Sequence, residues 1–271
     1  MSTDQQQDWS FAGIARGYEK YLAPMLSLWT QDLFEKTALG AGDEVLDIAC
    51  GTGIVARLAA EKLGIDGSIT GVDVDSEMLA TARSVSAHDG VTAAWMEANA
   101  TNLPFEDHSF DVIFCQQGLQ FIDDPAKALR QMHRVLRRGG RLALSVWGPL
   151  EQSPGYEALG KALEKHIGES QAGVNAVPFS MGEEESLRRL LEDGGFADVE
   201  VDTSTREVRF PSPREFFRRE VVSWLAGAFD DPTEDERRAV VNELEQSLES
   251  YVDSEGLAFP MEVFVASGRK A

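Results

Sequence analysis

Apolar and polar positions along the chain alternate between short strand-like runs and longer stretches with helical spacing. Val45, Leu46 and Ile48 make an apolar run that reads as a buried parallel strand, and Ile54 to Leu63 carries apolar residues at helical period. The alternation continues downstream. Ser68 to Val72 reads as a second strand, Glu77 to Ser86 as its helix with Ser76 as N-cap, and Val91 to Met96 as a third strand. Phe110 to Cys115 is a fourth strand, Pro125 to Arg137 a helix opened by proline and stopped by Gly139-Gly140, and Arg141 to Trp147 a fifth strand. Such alternation predicts a doubly wound α/β fold with a mostly parallel sheet.

Beyond Gly148 the pattern loosens. Ser153 to Ile167 and Glu183 to Asp193 read as helices, the second ended by Gly194-Gly195 before a strand at Val199 to Phe210. Helices at Pro213 to Phe229 and Thr233 to Tyr251 precede a last strand at Pro260 to Ser267, and Phe11 to Thr37 is helical and aromatic. No internal repeat or low-complexity segment interrupts the chain. The expectation is one domain over 1–271. Within it, 1–40 is an N-terminal helical lid segment, 41–148 the ligand-binding core, and 149–271 the remaining strands with inserted lid helices.

The most specific local signal is the turn Asp47-Ile48-Ala49-Cys50-Gly51-Thr52-Gly53. Gly51 and Gly53 permit a tight turn, and the free N–H groups of the following helix face the crevice above the strand's carboxyl end, where α/β sheets bind ligands. Gly51 to Ala56 also fits the relaxed glycine fingerprint of dinucleotide sites, with Asp73 at the spacing of a ribose contact. Asp47 counts against a pyrophosphate, which it would meet with like charge at short range. A phosphate-free nucleoside ligand bearing an ammonium and a sulfonium suits that carboxylate better. The turn resembles the first motif of class I S-adenosylmethionine-dependent methyltransferases, with Ala49 where many members have their first glycine.

That resemblance runs in ordered motifs from Val45 to Trp147 and more loosely to both ends. Leu103-Pro104-Phe105 and the run Val135 to Leu142 are similar to the small-molecule, ubiquinone/menaquinone-type branch. It implies a Rossmann-like seven-stranded sheet closed by an antiparallel last strand, with the extra helices as a lid. It also implies S-adenosyl-L-methionine as cofactor, S-adenosyl-L-homocysteine as product and a small-molecule acceptor.

Charge and composition narrow the partners. The formal net charge of −21 opposes phosphate-backbone binding, so no nucleic-acid substrate is expected. No apolar run approaches the roughly 20 residues of a membrane-spanning helix, and Met1 to Asp8 lacks the features of a secretory signal, so a cytoplasmic location is expected. Cys50 and Cys115 have no zinc or redox spacing, and no His/Cys/Asp cluster implies a metal.

Candidate site residues follow from position. Asp73, after the second strand, has two oxygens suited to the ribose hydroxyls, and Asp75 is read as starting the next helix. Val74 and Met78 would flank the adenine face, or pack in the core. The resemblance assigns Asn99 and Ala100 to the adenine edge, with Asn99 standing where relatives have Asp and its side-chain oxygen accepting from the amino group. It assigns Gln116 and Gln117 to the methionine part, and places Gln120 where relatives often show histidine. An amide there orients rather than deprotonates. Tyr18 matches a tyrosine that many small-molecule enzymes fold over the methyl donor, with Tyr21 as competitor. No catalytic residue is assigned; Gln120, His166 and Tyr18 are the candidates, while His88, His108 and His133 read as surface or structural residues. Trp29, Trp147, Phe179, Phe216, Phe217 and Trp224 either line an apolar acceptor pocket or form core. Direct methyl displacement needs positioning more than a base, so methyl transfer is the expected activity. A NAD-dependent oxidoreductase and a non-catalytic S-adenosylmethionine-binding protein are the alternatives.

Overall fold

The computed structural model describes residues 13–225 and 232–271. The expected helix start at Phe11, the polar Met1 to Asp8, the helix end at Phe229 and the Asp230-Asp231 pair lie outside the described residues. The N-terminal run comprises α1 (Ile14–Gly17), a π-helical turn at Tyr18–Leu22, α2 (Ala23–Leu26), a 3₁₀ turn at Ser27–Trp29 and α3 (Thr30–Thr37). It is one helical path broken by changes of pitch, in keeping with the helical character expected of this stretch.

The core then alternates as expected: β1 (Glu44–Ile48), α4 (Ile54–Leu63), β2 (Ser68–Asp73), α5 (Ser76–Asp89), β3 (Ala94–Glu97), β4 (Phe110–Gln116), α6 (Pro125–Val135) and β5 (Leu136–Trp147). There follow α7 (Pro154–His166), α8 (Glu169–Ala176), α9 (Glu184–Asp193), β6 (Ala197–Phe210), α10 (Pro213–Ser223), α11 (Glu234–Ser247), β7 (Val252–Asp253) and β8 (Gly256–Arg269). The sheet order is β3-β2-β1-β4-β5-β8-β6. β1 pairs in parallel with β2 and β4, whereas β8 runs antiparallel to both β5 and β6. Seven strands form the sheet, and the two-residue β7 adds an eighth along β8. The chain reverses its direction of winding between β1 and β4, which opens a crevice at their carboxyl ends.

Alternate residues of each central strand enter opposite cores. Val45, Val112 and Phe114 pack beneath α3, α4 and α7 with Leu33, Phe34, Val55 and Leu159, while Leu46, Ile48, Ile113 and Cys115 pack beneath α6 and α9 with Leu129, Met132, Leu187 and Leu191. Both cysteines are free and buried. Among the described residues no helix is long and apolar enough to cross a membrane.

Several element boundaries differ from expectation, among them β8, which starts at Gly256 rather than Pro260. Asp75, not Ser76, caps α5, because its carboxylate accepts from Glu77 N at 2.8 Å and Met78 N at 3.1 Å and complements the helix dipole. α6 stops at Val135 rather than Arg137: Lys270 Nζ donates to the carbonyl oxygens of His133, Arg134 and Leu136, drawing Leu136 into β5. Gly139-Gly140 therefore lies within an irregular stretch of β5, bonded to the Lys270 backbone. β3 starts at Ala94, not Val91, and α8 was not anticipated from the periodicity.

Candidate functional site

The turn after β1 concentrates unusual backbone. Ala49, Gly51 and Gly53 all have positive φ (54°, 53° and 83°), and for Ala49 this conformation costs about 1 kcal/mol. Cys50 N donates to Val72 O at 3.0 Å and Gly51 N to Asp73 Oδ2 at 2.8 Å, so β2 holds the turn in place. Asp73 Oδ1 accepts from Asp75 N at 2.9 Å. Each Asp73 oxygen thus holds one backbone N–H and keeps acceptor capacity toward the crevice. Burial raises its pKa, and the backbone bonds oppose that rise.

The crevice is a cleft of about 470 Å³. Of the residues singled out from sequence, Tyr18, Ala49, Gly51, Asp73, Val74, Met78, Asn99, Ala100 and Gln117 line it. Others stand behind its walls. Gly53 serves packing: a Cβ there would lie 2.2 Å from the Trp95 ring, and one at Gly71 would lie 2.4 Å from the same ring. Gln116 ties β4 to the N-terminal run, accepting from Thr30 Oγ1 at 3.0 Å and donating to Leu26 O at 2.8 Å. Gln120 is buried and donates to Gln117 Oε1 at 2.9 Å, leaving its own Oε1 without a partner.

Asp47 is the least satisfied of these groups. It is 1% exposed, and neither carboxyl oxygen has a hydrogen-bond partner. Burial pushes its pKa up to about 8; the Ala56 N–H, nearby but outside hydrogen-bond geometry, tempers the rise, and the Asp73 charge adds to it. Such a group carries its proton through much of the neutral range unless a cation approaches. Tyr18 is raised by burial and then by the charges of Asp73 and Asp47, so it stays a neutral phenol. Its ring crosses the turn, 3.5 to 3.7 Å from the position a Gly51 Cβ would take.

Asn99 is oriented away from its expected part. Its Oδ1 accepts from Thr101 N and Thr101 Oγ1, both at 2.8 Å, so the loop consumes the oxygen expected to meet an adenine amino group. His166 sits between α7 and α11, 3.4 Å from Glu243 Oε2, outside the cleft. Tyr21 faces Arg218, which donates to its hydroxyl at 2.9 Å, and is likewise not among the lining residues.

The aromatic candidates belong to the core. Trp29, Trp147, Phe179, Phe216 and Phe217 are buried, with Trp29 edge-on to Trp147 at 5.4 Å and Phe216 edge-on to Phe259 at 5.3 Å. Trp224 Nε1 donates to Glu220 at 2.7 Å. None lines the cleft. Periodicity missed the far wall, where Phe121, Ile122, Asp123, Asp124 and Lys127 complete the cleft. The signal was Phe121, a large apolar side chain directly after the glutamine turn that remains 54% exposed. With Asp73, Asp75, Asp123 and Asp124 on its walls against Lys127, the cleft favours a cationic ligand over a pyrophosphate. No group of three or more His, Cys, Asp or Glu able to hold a metal occurs among the described residues.

Known proteins resemble this chain in sequence and fold. A family model described as a methyltransferase domain matches residues 46–144. The ubiquinone/menaquinone biosynthesis C-methyltransferase of Chromobacterium violaceum is 31% identical over 190 residues, covering 66% of this chain and 77% of that protein. The chloroplastic 2-phytyl-1,4-beta-naphthoquinone methyltransferase of Arabidopsis thaliana is 36% identical over 152 residues, covering 53% of this chain and 58% of that protein. Among solved structures, a putative methyltransferase of Bacillus halodurans superposes with a TM-score of 0.62 at 19% identity, covering 89% of this chain and 98% of its own.

Proposed function

We propose a neutral ring acceptor of the quinol type for this chain, which belongs to the class I S-adenosylmethionine-dependent methyltransferases. It is an enzyme that methylates a small molecule with S-adenosyl-L-methionine. The acceptor reading comes from the relatives, both named for methylation of quinone-type rings.

The observation that carries the donor site is the pair of acidic side chains at the ends of β1 and β2: Asp73 on the cleft wall, clamped by two backbone N–H groups, and Asp47 buried behind the glycine turn, outside the cleft lining and unbonded. In this reading Asp73 accepts from the two ribose hydroxyls with its free lone pairs. Val74 and Met78 flank the adenine, Ala100 offers its backbone N–H, and Asn99 shapes the adenine end through its turn rather than through its oxygen. Gln117 faces the methionine part, and Asp47 ionises when an ammonium or sulfonium comes within reach of the turn. When bound, the cofactor supplies an electrophilic methyl on a good leaving group. The protein's own work is alignment: Tyr18 covers the turn as a neutral ring, and Gln120 holds the Gln117 side chain. No side chain is assigned as general base. Effective molarity from alignment supplies the rate, worth up to about 7–11 kcal/mol of barrier in well-oriented systems.

Calorimetric titration with S-adenosylhomocysteine tests the donor site: Asp73→Ala is expected to weaken binding at least about thirtyfold, a loss of about 2 kcal/mol for hydrogen bonds to a charged acceptor. Unchanged affinity would remove the ribose assignment. For the acceptor, incubation with labelled S-adenosylmethionine and a short-chain naphthohydroquinone should transfer label to the ring. Label transfer only to amines or carboxylates would overturn the quinol reading.

A further inference from the structure

Three consecutive residues of the N-terminal run touch three separate parts of the molecule. Gly17 lies against α10 so closely that a Cβ would fall 2.0 Å from Val222 O. Tyr18 crosses the glycine turn. Glu19 Oε1 accepts from Arg57 Nη2 at 2.7 Å. The π-helical pitch of Tyr18–Leu22 starts at this point, a wide turn that occurs frequently at functional sites.

Arg57 is unusual in its own right. It lies in the first turn of α4 with its side chain 8% exposed, and its other guanidinium nitrogen donates to Thr52 O inside the glycine turn. Asp89, at the end of α5, approaches its Nε at 3.8 Å. One rigid fork therefore grips both the turn and the strap that crosses it. Glu19 Oε2 is buried without a partner, so the pair sits where water screens it poorly. Sequence adjacency links the three contacts: the Glu19–Arg57 pair, the Tyr18 ring and the Gly17 approach to α10 all hold one short stretch of backbone.

We propose that the Arg57–Glu19 pair is the latch of this strap, positioning Tyr18 over the donor turn and setting how long the donor site stays closed. The proposal rests on the donor-site reading above. Arg57 and Glu19 are positioning residues that act through Tyr18, and α10 of the lid moves with them through Gly17. Binding of donor or product thus tightens α10.

A double-mutant cycle on S-adenosylhomocysteine binding tests the latch. Glu19→Gln keeps the side chain's shape and removes its charge; it is expected to weaken binding roughly tenfold, mainly through faster dissociation. Tyr18→Ala is expected to weaken binding at least as much, and the double variant no more than Tyr18→Ala alone. Arg57→Lys, which keeps charge but loses the two-pronged grip, should resemble Glu19→Gln. Hydrogen exchange along residues 213–223 should slow on ligand binding in the parent protein and change little in Glu19→Gln. Additive losses in the cycle, or unchanged dissociation in both latch variants, would overturn the proposal while leaving the donor site intact. Failure of the parent protein to bind S-adenosylhomocysteine would overturn both.

Discussion

Among the described residues two carboxyl side chains are almost wholly buried, and they are treated differently. Glu220, a residue of α10 that is 2% exposed, accepts from Trp224 Nε1 at 2.7 Å, within a layer where Tyr156, Phe216 and Phe259 meet edge to face. Asp47, 1% exposed at the end of β1, is bonded to nothing and borders a turn with strained φ angles beside a cleft. A buried polar group without a partner costs about 1–3 kcal/mol. The α10 layer has therefore been satisfied for stability, whereas the donor turn leaves a debt of solvation that a cationic ligand can settle.

The largest expected effect lies on the satisfied side. Phe216→Ala removes a fully buried ring that touches Tyr156, Phe210 and Phe259, and should lower unfolding free energy by about 3–5 kcal/mol in urea titration. Its affinity for S-adenosylhomocysteine should change much less than its stability, and only through what α10 transmits to the strap at Gly17. A large affinity loss without a stability loss would erase the distinction between the two regions.

Asp47→Asn should show the opposite signs. The folded pKa of about 8 stands above the ordinary 3.8, so the folded state binds the proton more tightly than the unfolded chain. The stability this group contributes is fully present below pH 4 and is lost as pH rises through 8. The variant should gain about 3 kcal/mol at pH 9, discounted for local relaxation, and gain nothing at pH 4. Affinity for S-adenosylmethionine should fall at the same time. Thermal unfolding across pH decides it, and a variant less stable than the parent at pH 9 would show that Asp47 already has a structural partner.

A third effect concerns the glycines behind the turn. Gly53→Ala would push a methyl into the Trp95 ring and strain a backbone at φ 83°, at a cost of about 2 kcal/mol. Adding Trp95→Ala should recover the steric part in denaturant titration. No recovery would assign the whole cost to the backbone.

Much of this was legible in the chain. Period-two and helical spacing placed β1, α4, β2 and β4 within a residue or two, because each buries a face whose pattern is set locally. The cleft was legible for Asp73, Val74 and Ala100 because strand ends in a parallel sheet converge at one crevice. What escaped depended on contacts far apart in sequence. Nothing near Leu136 announces that Lys270 will end α6, and nothing near Gly53 announces Trp95. Asn99 differed because an amide in a loop meets its nearest backbone donor first. The aromatic residues failed as a pocket for the reason that helical spacing buries them against each other.

The smallest expected effect sharpens the comparison most, since it isolates charge from bonding. Glu220 has its pKa raised by burial to about 7 from an ordinary 4.5, with the bonds from Trp224 and Tyr156 opposing the rise. Its contribution is fully present below pH 4.5 and declines as pH climbs through 7. Glu220→Gln keeps an oxygen for Trp224 and abolishes the titration, so at pH 8 it should stabilise the protein by about 1 kcal/mol, less than Asp47→Asn because a bonded carboxylate has less to gain. Below pH 4.5 the two proteins should unfold at the same midpoint. If Glu220→Gln instead gains more than Asp47→Asn at alkaline pH, hydrogen bonding has not compensated the α10 carboxyl. The contrast between a satisfied helix layer and an unsatisfied donor turn would then fail.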